Sequence, residues 1–299
     1  MTDIGRTLRA WHAVGEPYAL ATVAAVRGSA PREVGAALAV DGAGGAAGSV
    51  SGGCVDAEVY ELCREVLRTG EVVRRTFEPD PEDPFAPAMT CGSAVDIVIR
   101  RIDPPTDTAV LPALDARRRA APRLLVFGAV AFADPLVRLG KFLGHRVTVC
   151  DARPVFATRE RFPEADDVVV QWPHRYLAAT DVDRSTAVCV LTHDAKFDVP
   201  VLVEALRSPA AYVGAIGSRR TCADRAERLR AAGLTAAELA RLRSPVGLDL
   251  GGVTPEEVAL SIGAEIVALA RGGSGRPLAG TAGAIHHPDP TRPAEVPWC

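Results

Sequence analysis

The chain has 299 residues, of which 48% are hydrophobic, 24% charged and 5% aromatic, with a formal net charge of −3. That length suits two domains, and so large an apolar fraction excludes a wholly disordered chain. The few aromatics and the lack of a basic stripe exclude the stacking platforms and the counterion release on which nucleic-acid binding depends.

No run approaches the roughly 18 apolar residues of a membrane span. The N-terminal MTDIGRTLRAW has no signal-peptide apolar core, so a soluble, cytoplasmic protein is expected. The cysteines number seven, an odd count, and form no CxxC pair, which disfavours a disulfide framework and a structural zinc site. The 27 glycines and 23 prolines point instead to loops, where sites are commonly built.

The first part, residues 1–102, reads as α+β. Residues 4–14 have helical spacing, and 18–26 and 36–40 read as strands. A helix is expected over 54–68, from the spacing of Val55, Val59, Leu62 and Val66. Residues 72–77 and 95–99 alternate like strands around a proline-punctuated acidic loop at 78–87. The segment 103–121 reads as a surface linker with a short helix.

From residue 122 to 272 strands and helices alternate. Strands are expected at 124–128, 146–151, 168–171, 187–191 and 212–216, and helices at 136–143, 197–207, 219–232 and 255–271. This alternation implies a Rossmann-like, doubly wound parallel sheet. Residues 273–299 read as a Gly/Pro-rich tail.

The first turn of this domain, Gly128-Ala129-Val130-Ala131-Phe132-Ala133, keeps the first glycine of GxGxxG but has Val130 at the second. Asp134-Pro135 follows as an expected N-cap and first-turn pair, and that carboxylate would repel a phosphate there. Asp151 stands where a ribose-binding acid would. On balance the loop disfavours NAD(P).

Better anion chemistry lies at Gly217-Ser218-Arg219-Arg220, which ends a strand and opens a helix. Backbone N–H groups and two guanidiniums could clamp a phosphate or carboxylate there. Alternatively the arginines pair with Asp224 or Glu227 at helical spacing. Thr192-His193-Asp194 also ends a strand. Asp194 reads as a helix cap, and His193 as a pocket residue or proton donor, with no second ligand spaced for a metal. In the glycine-rich run 245–257, Thr254, Pro255 and Glu257 form a capping-box pattern, and Asp249 could line a cleft. In the first domain, Gly28-Ser29-Ala30-Pro31-Arg32 and Gly48-Ser49-Val50-Ser51-Gly52-Gly53-Cys54 are dense in small residues that allow close ligand approach. Cys54 falls at an expected helix N-terminus, which would favour its thiolate. Cys91 sits in the similar turn Thr90-Cys91-Gly92-Ser93.

Taken together, residues 28–32, 48–56, 192–194, 212–220 and 245–257 resemble the XdhC/CoxI family, over roughly residues 3–272. The family's Rossmann loop reads more like GlyAlaGlyHis than Gly128-Ala129-Val130-Ala131. The resemblance implies an N-terminal XdhC/CoxI domain followed by a Rossmann domain, commonly as a homodimer. It also implies a maturation factor, not an enzyme in its own right, that binds the molybdenum cofactor (molybdopterin) transiently. With a cysteine desulfurase it would assist sulfuration, then deliver the cofactor to a molybdenum hydroxylase apoenzyme of the xanthine or CO dehydrogenase type. The expected cofactor contacts are Ser29, Arg32, Ser51, Gly52, Gly53, Cys54, Cys91, His193, Gly217, Ser218, Arg219, Arg220 and Asp249, with no catalytic residue and no metal ligand assigned. Two other readings are an NAD(P)-dependent oxidoreductase, which draws on Asp151, and a recruitment module that holds no cofactor.

Overall fold

A computed structural model describes residues 4–28, 32–78, 93–282 and 285–286. The chain divides into two compact units, one built on Met1–Arg119 and the other on Ala120–Thr281.

The first unit runs α1 (Ile4–Val14), β1 (Tyr18–Arg27), β2 (Ala37–Asp41), β3 (Ala46–Gly48), α2 (Asp56–Thr69), β4 (Val73–Phe77), β5 (Ala94–Ile102) and α3 (Val110–Arg119). Among the described residues its strands form one antiparallel sheet in the order β3-β2-β1-β5-β4. The period-2 geometry of β1, with each face packed on a different partner, explains its largely apolar sequence. Ala19, Ala21 and Val23 pack towards Val59, Cys63 and Val66 of α2, while Tyr18 and Leu20 pack with Leu8 of α1 and Val110 and Leu114 of α3. Both faces of the strand are therefore covered.

Two expectations change here. The segment read as a surface linker with a short helix does carry one, α3, but its buried Val110 and Leu114 join it to the first unit's core. The helix expected from Cys54 begins at Asp56, because the preceding chain is held in turns by glycines of positive φ, Gly52 at 78° and Gly53 at 127°.

The second unit runs β6 (Arg123–Phe127), α4 (Ala133–Phe142), β7 (Arg146–Asp151), β8 (Asp167–Val170), α5 (Pro173–Ala179), β9 (Ala187–Val190), α6 (Ala195–Arg207), β10 (Tyr212–Ala215), α7 (Arg219–Ala231), α8 (Ala236–Leu239), β11 (Leu242–Arg243) and α9 (Pro255–Arg271). Its strands pair in parallel in the order β11-β10-β9-β6-β7-β8. This is the order of the dinucleotide-binding Rossmann sheet, which reverses between its first and fourth strands, here β6 and β9. Leu136 and Val137 of α4 and Ile262 and Ile266 of α9 cover one face of the sheet. Leu177 of α5, Val201 and Leu202 of α6 and Leu229 of α7 cover the other.

The Thr254 capping box forms as expected: its hydroxyl accepts from Glu257 N, and Glu257 accepts from Thr254 N in return. The expected cap of α4 does not form. Asp134 lies inside the first turn and pairs with Arg138 one turn on, Nε to Oδ2 3.0 Å, while Phe132 holds the N-cap position.

Candidate functional site

Open α/β sheets bind ligands outside the carboxyl ends of their strands, and the loops of interest in the second unit lie there. Gly128 directly follows β6 with φ 112°, and a Cβ on it would stand 3.0 Å from the backbone nitrogen of Thr192, after β9. Only glycine lets these two loops approach so closely. Val130, in the position of the missing glycine, packs against the core beneath α4 and α9.

Asp151 is committed to the chain itself. It accepts hydrogen bonds from Ala129 N at 2.8 Å, Arg153 N at 2.9 Å, and the Arg153 side chain at 2.9 and 2.7 Å. Burial alone would raise this carboxyl, but the Arg153 side chain and the Ala129 and Arg153 N–H groups hold it below the usual carboxylate range. The Arg153 guanidinium also lies 4.6 Å from the Phe156 ring centre, and Arg161 donates to Ala129 O at 3.2 Å. Where a ribose would be read, the chain has placed its own side chains.

The turn after β10 is differently disposed. Ser218 caps α7 by accepting from Thr221 N at 3.2 Å. Arg219 and Arg220 follow, exposed, in a first turn without an acidic residue. Among the described residues neither guanidinium has a hydrogen-bond or ion-pair partner, so the expected alternative pairing with Asp224 or Glu227 is not made. Two cations at the positive end of a helix dipole are unfavourable unless an anion joins them.

Beneath the turn lies a buried network that the sequence did not single out. Arg225 donates to Asp198 Oδ2 at 2.9 Å, to Ile216 O at 2.8 Å and to Ser244 Oγ at 3.1 Å. Asp198 Oδ1 accepts from the Thr192 hydroxyl at 2.8 Å. Burial lifts the Asp198 carboxyl above its usual range, against the pull of the Thr192 hydroxyl and of Arg225. The available signal was Arg225 lying on one helical stripe with the apolar Cys222 and Leu229, all three buried.

After β9, Asp194 caps α6 as expected, accepting from Lys196 N at 3.1 Å, and His193 is exposed. The 245–253 loop is tied to α9, since Glu265 accepts from Gly247 N at 2.9 Å and from the Tyr212 hydroxyl at 2.7 Å. Asp249 projects from this loop, exposed.

In the first unit the 48–56 loop is closed by Asp56, to which sequence pattern alone assigns no role. Its carboxylate accepts from Ser49 Oγ (2.6 Å), Val50 N (3.0 Å), Ser51 N (3.1 Å) and Ser51 Oγ (3.0 Å). The N–H groups of Gly52 and Gly53 donate to the Ser49 and Ser51 hydroxyls. Ser51 is buried, and the loop's donors are satisfied internally, so it is no ready-made anion cradle. Among the described cysteines only Cys54 is exposed, and burial pushes the Cys63 and Cys150 thiols up to about 12. Arg32 is half-buried. Ser29 and Cys91 lie outside the described residues. Among the described residues no group of three or more His, Cys, Asp or Glu side chains could hold a metal ion, and no helix is long and apolar enough to cross a membrane.

Among known proteins, residues 11–78 match the XdhC and CoxI family, and residues 124–266 match the XdhC Rossmann domain. The chain belongs to the XdhC/CoxI family. One relative, from Bacillus subtilis, is named as a probable subunit of xanthine dehydrogenase, and is 26% identical over 84% of this chain and 93% of the relative. Another is the molybdenum cofactor insertion chaperone PaoD of Escherichia coli, 26% identical over 85% of this chain and 84% of that one. The crystal structure of a xanthine dehydrogenase from Bacillus halodurans has the same fold, with a TM-score of 0.74 and 22% identity over 93% of this chain and 97% of that one.

Proposed function

We propose that this XdhC/CoxI family member is a maturation factor that carries the molybdenum cofactor as cargo to a molybdenum hydroxylase apoenzyme of the xanthine or CO dehydrogenase type. The observation that carries the reading is the unpaired Arg219–Arg220 couple at the start of α7, at the carboxyl end of a parallel strand. The cargo's phosphate supplies an anion of the kind this donor set lacks, and guanidinium forks recognise phosphate oxygens bidentately. Gly217 and Ser218 would let the backbone close on the same group.

The name of the E. coli relative supports the cargo, and that of the B. subtilis relative supports the client class. Ser29, Arg32, Ser51, Gly52, Gly53, Cys54, Cys91, His193 and Asp249 are proposed as further contacts. Gly52 and Gly53 would contribute close backbone approach, since their N–H groups are already bonded. Transient binding, sulfuration with a cysteine desulfurase, a homodimeric state and a cytoplasmic site of action complete the proposal.

The test is to mix the purified protein with molybdenum cofactor released from a molybdoenzyme and assay molybdenum and pterin after gel filtration. The wild type should retain both, and R219A/R220A should lose them. A folded wild type that retains neither overturns the reading. The Rossmann strand order favours a second reading, an NAD(P)-dependent oxidoreductase, against which the commitment of Asp151 counts. Micromolar binding of NADH or NADPH in a fluorescence titration would favour it.

A further inference from the structure

The buried face of α7 is a stripe of Cys222, Arg225 and Leu229, exposed by 8%, 3% and 0%. Apolar residues of similar volume in place of both Arg225 and Asp198 would also fill this space. Buried ion pairs recover their desolvation cost poorly, so stability is a weak reason for one here. What arginine adds is direction, because its planar fork fixes several hydrogen bonds at once.

Those bonds reach three elements. Arg225 donates to Asp198 in the first turn of α6, to the carbonyl of Ile216 after β10, and to Ser244 after β11. The Ile216 carbonyl is the last before Gly217 and Ser218, so its heading sets the direction in which the chain presents Arg219 and Arg220. A Cβ on Gly217 would lie 3.4 Å from both Arg225 Nη1 and Cys222 Sγ, so the turn rests directly on this floor. On the far side, Asp198 orients the Thr192 hydroxyl, which in turn accepts from Asp194 N at 3.1 Å. One buried pair thus supports the turns after both β9 and β10.

We infer that Asp198 and Arg225 are positioning residues for anion binding, holding the Gly217–Arg220 turn in its binding geometry and in fixed relation to the Thr192–Asp194 turn. This inference rests on the reading of Ser218–Arg220 as the anion site. A lysine at 225 keeps the charge but cannot span Asp198, Ile216 and Ser244 with one ammonium group.

The probe is inorganic pyrophosphate, titrated calorimetrically into the full chain at fixed salt, well below the unfolding temperature of every variant. R219A/R220A should bind at least about tenfold more weakly, defining the site, and R225K should lose about tenfold with both guanidiniums still in place. Leu202→Ala, which opens the core beside α6 without touching the network, should lower the unfolding temperature yet bind within about twofold of wild type. That contrast separates positioning from general loosening. If R225K binds like wild type while R219A/R220A does not, the positioning role is wrong and the anion site stands. If wild type does not bind, or R219A/R220A binds undiminished, the anion site falls and the inference with it. Should R225K fail to fold, S244A removes one bond of the three, and an undiminished affinity in that variant overturns the inference equally.

Discussion

Arg153 donates to both carboxylate oxygens of Asp151, Nε to Oδ1 at 2.9 Å and Nη2 to Oδ2 at 2.7 Å. The two residues are separated by one position, so the acid at the end of β7 is satisfied by its own loop. That closure, with Val130 packed against the core, ties the 128–133 turn to the end of β7.

D151N should therefore cost stability in a pH-dependent way. The Asp151 carboxyl is held below its unfolded value, so its contribution is complete above pH ~4 and is lost as pH falls through the lowered folded value. At pH 7 the variant should be less stable by about 2 kcal/mol, in the range for hydrogen bonds to charged groups. The gap should begin to narrow below pH ~4 and go on narrowing as the pH falls through the lowered folded value. Denaturant titrations at pH 7, 5 and 3 measure it, and a gap that stays constant with pH contradicts this account.

The Asp56 carboxylate gathers four donors from residues 49–51, so D56N should loosen that loop more than the molecule as a whole. An amide has one accepting oxygen and cannot replace all four contacts. Hydrogen exchange at Val50 and Ser51 should quicken by about tenfold, equivalent to ~1.4 kcal/mol of local opening, while core amides of α2 stay protected. Unchanged exchange at Val50 would show that Asp56 does not organise the loop.

Two glycines of similar φ give a paired test. Gly48 has φ 87° and a Cβ there would run into the carbonyl of Ala37, whereas Gly15 has φ 82° and open space around it. Gly15→Ala should cost only the left-handed backbone penalty, about 1 kcal/mol. Gly48→Ala adds the clash and should cost clearly more, read as a larger fall in unfolding temperature. Equal falls would mean that the chain around Ala37 yields freely.

Much of this architecture was legible because the physics was local. The strands of the second unit are short apolar runs between amphipathic helices, and their parallel pairing follows from that alternation. The family resemblance rested on loop motifs, of which those at 192–194 and 212–220 do stand at strand ends of the second unit. What escaped was either small or set by distant contacts. β3 is three small residues, and α3, read as a short helix in a surface linker, has Pro112 in its first turn and was not expected to bury Val110 and Leu114. Cys54 was expected at a helix start because the apolar spacing begins at Val55, but the hold of Asp56 on residues 49–51 was not encoded in periodicity. Arg225 was one of several arginines in α7, and its place on the stripe of Cys222 and Leu229 is the cue that sets it apart from its exposed neighbours.

The central strand of the first unit has a consequence for how that unit is made. β1 pairs on one side with β2, close by in sequence, but on the other with β5, where Tyr18 meets Ile102. On a ribosome the near side forms early, while the far edge of β1 waits, its backbone donors and acceptors unpaired, until most of the unit has been synthesised. Unpaired strand edges are where growing chains associate wrongly. The nascent chain is thus most exposed to misassociation over the long interval between the emergence of β2 and that of β5.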